Sequence, residues 1–502
     1  MSGATGSILS NFGALQALNG IAAAQSANNT YETQLSTGLS INSPADNPAG
    51  FIEAQGFTSQ VNGVTQASAN ANEGISLLQT AQGAVQQQLT VAQKLNSMAV
   101  QAANGTQTPQ EAQSLQSVVS QLTGQITTIA QQTQFNNINL LDGTFSGVQF
   151  QIGANEGQTL SLSIGSTEAN NIGMNTLNSS ATAGLYGSKA GDSAAVTATG
   201  SAFTAGTLSI NGSNGLASVT TTASESAASL ASAVNALTNQ TNVSAQATTN
   251  LVVKAKGSAT GSAYNFKLGN GTAAAPTNTV SISATGVAGL VSAINASTAT
   301  TGITAVQQGS GASAEVVMTQ SQGQNISITG VSNGSFTVEN GGTTANTKTF
   351  GGTTVGTTFT SAAGGAALVA QGKVSFQSDQ SFSVTGAAGI GLSSQSNLQA
   401  LSAINVSTTA GANSAINVIK YAIEGLNNLG GQLGASQQRL TATLNNLTTT
   451  NANLQNGLAT VQDANIPAVS QQLTQSQIQA QAGVAALKSS TTLQQAFLSL
   501  LP

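Results

Sequence analysis

Along residues 61–99 apolar and small side chains return every seven positions, at Val64, Ala71, Leu78, Val85, Ala92 and Ala99. A second row, offset by four, reads Val61, Ser68, Ile75, Gln82, Leu89 and Asn96, with polar lapses. Two such rows form an a/d seam, which predicts helices packed side by side. Residues 433–461 carry a cleaner seam, with Leu433, Leu440, Leu447, Leu454 and Val461 in one row and Leu444 and Leu458 in the other. Leu115, Val119, Leu122, Ile126 and Ile129 repeat the pattern in 115–133. Three seams predict a coiled-coil-like helical bundle. The ends of the chain continue the heptads more thinly, through Ile8, Leu15 and Ala22 and again through Ile478, Val484 and Leu487, in an Ala- and Gln-rich setting. Helices so poor in large apolar residues are marginal alone. Such helices are expected to order only where further apolar cover is supplied.

Punctuation divides the helices. Ser43-Pro44-Ala45-Asp46 reads as an N-cap, a first-position Pro and a first-turn acid. A helix from about 44 to 103 would be ~90 Å long. Asn104-Gly105 ends it, and Thr108-Pro109 opens the next, which stops near Thr133. Val148–Ile152 and Thr159–Ile164 alternate at period two around Ala154-Asn155-Glu156-Gly157, a hairpin pattern. Pro467 must break the last helical stretch unless a new helix begins there.

Between about 135 and 400 the style changes to Gly, Ser and Thr with short alternating runs, and a weak duplication appears. Ser232-Ala233-Val234-Asn235-Ala236 recurs 60 residues later as Ser292-Ala293-Ile294-Asn295-Ala296. Each copy is preceded by a β-like run (Thr207–Ile210, Thr279–Ile282) and followed by several more, giving a small α+β module. Similar ends around a different middle imply that the ends pack together and the middle is an insertion.

Composition removes most chemistries. Of 502 residues only 10 are Lys or Arg and 15 are Asp or Glu, so 5% are charged against roughly 25% in an ordinary soluble protein. Without Cys or His there are no thiolates, disulfides, structural zinc sites or His-based acid–base catalysis. Glu225, Glu315, Glu339 and Asp379 show no paired spacing. No enzyme, metal or cofactor is expected. Ten scattered bases under a net charge of −5 argue against nucleic acid. No apolar run reaches the ~18–20 residues of a membrane span, and Met1–Ser10 does not resemble a secretory signal.

The terminal zones resemble bacterial flagellin. Leu35-Ser36-Thr37-Gly38-Leu39-Ser40-Ile41-Asn42-Ser43 with Asp46 and Ala49-Gly50 carries the likeness, as do Thr65–Ser76 and Ala99–Thr106. So do Gln132–Asn136, Leu140-Leu141-Asp142-Gly143, Phe150–Asn155 and Gly157-Gln158-Thr159. Toward the C-terminus Gly434–Leu440, Leu444–Leu447, Asp463-Ala464, Gln477-Ile478, Gln481-Ala482-Gly483 and Leu498–Leu501 complete it. Ser40 stands where the family usually has Arg. The resemblance covers roughly 1–170 and 405–502; the duplicated middle resembles, more weakly, a module of some flagellins and hook-associated proteins.

The resemblance implies an α+β chain: a long helical bundle formed by both termini with a β-hairpin, carrying inserted β-rich outer domains. It implies an inner-core segment over 1–43, shell helices and hairpin over 44–175, and an exposed insertion over 176–400 with modules at about 205–270 and 279–330. A shell helix over 401–455 and an inner-core helix over 456–502 follow. It implies a filament subunit outside the cell, assembled with itself, with an export chaperone, the type III export apparatus, the filament cap and hook-associated proteins as partners. A hook–filament junction protein of the same family is the alternative. Subunit packing is expected from Ile8, Phe12, Leu15, Leu35, Ile41, Leu78, Leu89, Leu440, Leu447, Leu454, Ile478 and Leu487. Lys94, Met98 and Val118 match the positions through which some flagellins meet a vertebrate Toll-like receptor, with Val118 where an acid is usual.

Overall fold

The computed structural model describes residues 12–179, 185–188, 195–196, 205–222, 225–255, 263–271, 276–309, 314–333, 336–340, 358–359, 367–386 and 395–498. The chain opens with three helices, α1 (Phe12–Thr37), α2 (Pro48–Ala102) and α3 (Pro109–Gln132). A short pair β1 (Gln134–Phe135) and β2 (Ile138–Asn139) follows, then β3 (Val148–Gln151), β4 (Thr159–Leu162) and β5 (Gly173–Asn178). Next come β6 (Leu185–Ser188), β7 (Ala195–Val196), β8 (Gly206–Gly212), β9 (Gly215–Thr221), α4 (Ala227–Asn235), α5 (Thr238–Thr241) and β10 (Ser244–Ala255). β11 (Ala263–Gly271), β12 (Pro276–Thr285), α6 (Gly286–Ala296), α7 (Thr298–Thr301), β13 (Ile303–Gln308) and β14 (Glu315–Gln320) repeat that order. β15 (Ile326–Asn333), β16 (Phe336–Asn340), β17 (Thr358–Phe359), β18 (Ala367–Ala370), β19 (Lys373–Ser378), β20 (Ser383–Thr385) and β21 (Asn397–Ala400) lead to α8 (Thr409–Gln462) and α9 (Ile466–Leu498). The chain divides into two compact units, one of Met1–Gln79, Gly147–Ser163 and Gly434–Pro502, the other of Thr80–Ser146 and Ile164–Leu433.

The start of α2 departs from expectation. Residues 43–46 form a turn, because the Asp46 carboxylate folds back onto the N–H groups of Asn42 (3.0 Å) and Ser43 (2.7 Å). The helix begins one step later, where Asn47 Oδ1 accepts the Gly50 N–H at 3.0 Å and Pro48 takes the first helical position. The cap is therefore Asn47-Pro48, and Ser43-Pro44 is not one. The helix measures about 80 Å at 1.5 Å per residue. Thr108 caps α3 as expected, in a capping box closed by Glu111. At the C-terminal break, α8 ends at Gln462, and Asn465 caps α9 through the Ala468 N–H, placing Pro467 in the first turn where its missing N–H costs nothing.

The heptad rows of α2 are half as expected. Val64, Ala71, Leu78, Val85, Ala92 and Ala99 are all buried. Their companion row lies three positions on, at Ala67, Gly74, Ala81, Gln88, Leu95 and Ala102, all buried. Of the row expected at an offset of four, only Leu89 is buried; Val61, Ser68, Ile75, Gln82 and Asn96 are half-exposed. The alanines and glycine win the seam because small side chains let another backbone approach closely. A Cβ on Gly74 would stand 3.0 Å from Leu440 Cδ1 and 3.5 Å from the Phe150 ring, so α8 and the hairpin both close on that point.

In the first unit β3 and β4 pair antiparallel, Val148 opposite Leu162 and Gln151 opposite Thr159. The hairpin is held to α2 by Asn70 Nδ2, which donates to the Gln151 carbonyl at 2.9 Å. Val64, Ala67 and Leu447 form a small core with Leu454 against it. The link between α1 and α2 runs beside the link between α8 and α9: Ser40 N donates to the Gln462 carbonyl and Ala464 N to the Gly38 carbonyl, at 2.6 and 2.8 Å. The two ends of the sequence are joined there by backbone.

In the second unit the buried Gln88 amide reaches the carbonyls of Ile126 (3.0 Å) and Thr167 (3.4 Å). β5 pairs with β21, Gly173 opposite Ala400 and Thr176 opposite Asn397, so the strands entering and leaving the middle segment lie side by side. Sheets ordered β13-β14-β10-β19-β5-β21, β12-β11-β15-β18-β6-β7 and β20-β8-β9 build the middle. One core gathers on α4 (Leu230, Val234, with Leu208, Val243 and Phe376), the other on α6 (Leu290, Ile294, with Tyr264, Phe266 and Met318). The duplication is thus physical. The strand feeding each helix is β9 in the first copy and β12 in the second, so Thr279–Ile282 answers to Gly215–Thr221 and not to Thr207–Ile210, whose counterpart is β11. Hydrogen bonds anchor this β-rich part to α8: Asp379 accepts from Asn242 (2.6 Å) and Asn428 (2.7 Å), and the Tyr421 and Ser244 hydroxyls meet at 2.5 Å.

Candidate assembly surface

Two helices can hide only one stripe of each other, and α1 and α9 meet along a stripe that mixes small residues with Ile21, Val469, Leu473 and Leu487. On α1 the covered or half-covered positions include Ala14, Ala17, Ile21, Ala24, Asn28 and Tyr31, and on α9 Val469, Leu473, Ser476, Ala480, Gly483 and Leu487. Both sets step by three and four, the spacing of a helix–helix seam. At Gly483 the helices are so close that a Cβ would come within 2.7 Å of Ile21 Cγ1, and the Ser476 hydroxyl donates to Asn28 Oδ1.

Several large apolar side chains lie off the stripe. Phe12 is 77% exposed, Leu15 57%, Ile478 60% and Val484 55%, with Leu18, Leu35, Ile466 and Leu493 also in solvent. Charge is almost missing from both helices: Glu32 on α1 and Lys488 on α9 are the only ionised side chains they carry. Apolar residues distributed around a helix, with scarcely a charge, fit a helix enclosed on all sides. Within this chain each is covered on one side. Burying the remainder would desolvate hardly any charge and would remove a row of large aliphatic and aromatic groups from water.

The twelve residues expected to pack subunits together separate into classes. Phe12, Leu15, Leu35 and Ile478 are exposed, Leu454 and Leu487 half-buried, and Ile8 lies outside the described residues. Ile41, Leu78, Leu89, Leu440 and Leu447 are buried inside the chain, so their packing is internal and they are withdrawn as inter-subunit contacts. Heptads cannot distinguish an internal seam from an external one, since both bury the same period. Leu18 and Leu493 are exposed as well, and the heptad count passes over them. Elsewhere Lys94 and Val118 are exposed and Met98 is half-buried.

Three of the carboxylates serve local turns. Backbone N–H groups of Ser43 and Asn42 hold the Asp46 carboxyl below its usual range, the Thr108 N–H and hydroxyl do the same for Glu111, and the Thr144 hydroxyl and N–H for Asp142. Among the described residues no group of three or more His, Cys, Asp or Glu could hold a metal, and no helix is long and apolar enough to cross a membrane.

Comparison with known proteins gives this geometry its context. A family model described as the bacterial flagellin N-terminal helical region matches residues 8–146, and one described as the bacterial flagellin C-terminal helical region matches 416–501. The chain is 30% identical over 503 residues to a B-type flagellin of Pseudomonas aeruginosa, covering 98% of each. It is 38% identical over 162 residues to a flagellin of Salmonella typhimurium, 32% of either chain. Among solved structures, FliC from Burkholderia pseudomallei aligns over 73% of this chain and 99% of its own at 22% identity, with a TM-score of 0.29. Both helical regions that the family models describe contain the surface-bearing helices α1 and α9, and the Pseudomonas relative aligns from end to end. The chain belongs to the bacterial flagellin family.

Proposed function

We propose that this chain is the structural subunit of a bacterial flagellar filament and polymerises through the outward faces of α1 and α9. The carrying observation is that those helices cover each other along one stripe while Phe12, Leu15, Ile478 and Val484 stay in solvent. A pair of helices covered on one side only is marginally stable by itself. Neighbouring copies would supply the missing cover, so the ends order as the polymer grows. The β-rich middle, whose entry and exit strands are paired, would stand outside the polymer core. Hook-associated proteins at the base, a cap at the tip, and passage through the type III export apparatus with a chaperone belong to the same reading, which rests on family membership. The end-to-end likeness to a flagellin favours the filament over the hook–filament junction.

Trimming residues 1–30 or 467–502 tests the mechanism. Each trimmed chain should stay folded by circular dichroism yet fail to sediment as polymer after seeding. Efficient polymerisation of a chain trimmed at both ends would overturn it.

A further inference from the structure

The two copies of the duplicated module share a second signature directly after the helix. Residues 235–245 read Asn-Ala-Leu-Thr-Asn-Gln-Thr-Asn-Val-Ser-Ala, and residues 295–305 read Asn-Ala-Ser-Thr-Ala-Thr-Thr-Gly-Ile-Thr-Ala. The same hydrogen bonds recur at every shared position. Asn295 Oδ1 accepts the Ala305 N–H at 2.7 Å while its Nδ2 donates to the Ala305 carbonyl at 2.8 Å; Asn235 does both to Ala245, at 2.7 and 3.0 Å. Thr301 Oγ1 accepts the Ile303 N–H and Thr298 Oγ1 donates to the Ile303 carbonyl, at 3.2 and 2.8 Å. Thr241 and Thr238 treat Val243 identically, both at 3.2 Å. The turn between helix and strand is left-handed in both, at Asn242 and Gly302 (φ 59° and 66°).

Position in the sheet gives this arrangement its meaning. Among the described residues β13 is an edge strand of its sheet, paired on one side with β14. Residues 303 and 305, two apart, turn the same backbone side outward, and there the three side chains take up both N–H groups and both carbonyls. An asparagine amide offers one donor and one acceptor in the spacing of a peptide, so Asn295 stands in for a residue of a missing strand. Only Gln307, the next outward position, has no such partner among the described residues, and its neighbour Val306 is 66% exposed. An open edge of this kind recruits strands from other chains, and a polymer of one chain would crowd many identical edges together.

We propose that the Asn-x-x-Thr-x-x-Thr segment is an edge seal, which stops strand addition between the outer β-rich parts of neighbouring copies of this chain. The filament reading enters only in supplying the crowding; the seal itself is tested on the unassembled chain. In the wild-type protein, amide exchange at Ile303 and Ala305 should be slow and that at Gln307 fast. Asn295→Ala should speed exchange at Ala305 roughly five- to ten-fold, the loss of one net hydrogen bond, while Ile303 keeps its protection. The triple variant Asn295→Ala, Thr298→Val, Thr301→Val should self-associate with rising concentration in sedimentation velocity, and adding Val306→Lys should restore the monomer by placing charge on the open edge. The wild-type exchange pattern keeps the proposal falsifiable if the triple variant misfolds. Equal exchange at Ala305 and Gln307 in the wild type would overturn the seal, and so would a folded triple variant that stays monomeric.

Discussion

Replacing Leu15 and Ile478 together by Ser should cripple assembly without touching the soluble chain. Both side chains are more than half exposed, at 57% and 60%, and neither belongs to the α1–α9 stripe. Full burial of a Leu or Ile is worth about 1.5–3 kcal/mol, so the portion still in water represents roughly 1–1.5 kcal/mol at each site. Losing both removes about 2–3 kcal/mol per added subunit, and since 1.4 kcal/mol is a factor of ten the critical concentration should rise roughly 30- to 100-fold. The assay is seeded polymerisation followed by sedimentation at a series of concentrations, with far-ultraviolet circular dichroism of the unassembled chain as the control. The pair Leu78→Ser and Leu440→Ser, fully buried inside the chain, should instead lower stability before assembly is reached. A critical concentration unchanged within about three-fold, less than the ~1 kcal/mol expected from a single site, would show that the exposed faces of α1 and α9 are not what copies of this chain bury.

Other outcomes follow from local structure. Asn47→Ala should cost about 1 kcal/mol and open the Gly50 amide to exchange, whereas Ser43→Ala should leave that amide protected, because the helix cap is Asn47. Gln88→Glu should destabilise the chain by several kcal/mol at pH 7, since it sets an unpaired carboxylate in a buried site against the Ile126 and Thr167 carbonyls; melting temperature should partly recover on acidification as that carboxyl gains its proton. Wild-type filaments should tolerate acid and salt. The folded pKa values of Asp46, Glu111 and Asp142 are depressed, so their contribution is complete above the ordinary carboxylate range and fades as pH falls through the lowered values. Their partners are neutral N–H and hydroxyl groups in local turns, so light scattering from pH 7 to 4 should change little; cooperative depolymerisation in that window would contradict it. Replacing residues 177–396 by a short Gly/Ser turn should preserve assembly, because Thr176 and Asn397 already face each other across β5 and β21; failure to polymerise would make the middle part of the core.

Sequence alone determined the periodic elements and the chemistry that is missing. Heptads announce helices, alternation announces the β3–β4 hairpin, and Thr108 with Pro109 announces a helix start, because each of these depends on neighbours within a few positions. The 60-residue repeat was legible for the same reason. Counting His and Cys removed whole classes of catalysis with no geometry at all. Tertiary structure decided what period cannot. It chose Ala67 and Gly74 over Ser68 and Ile75 in the companion seam of α2, because α8 and the hairpin approach closely at Gly74 and favour the smallest side chains there. It moved the helix cap from Ser43 to Asn47 through a carboxylate that bonds backward along the chain. It separated Leu78 and Leu440, buried within the subunit, from Leu15 and Ile478, left in water, although both pairs sit on heptads. A hydrophobic period records that a face will be covered, and only the packed chain shows whether its own residues or another copy must cover it.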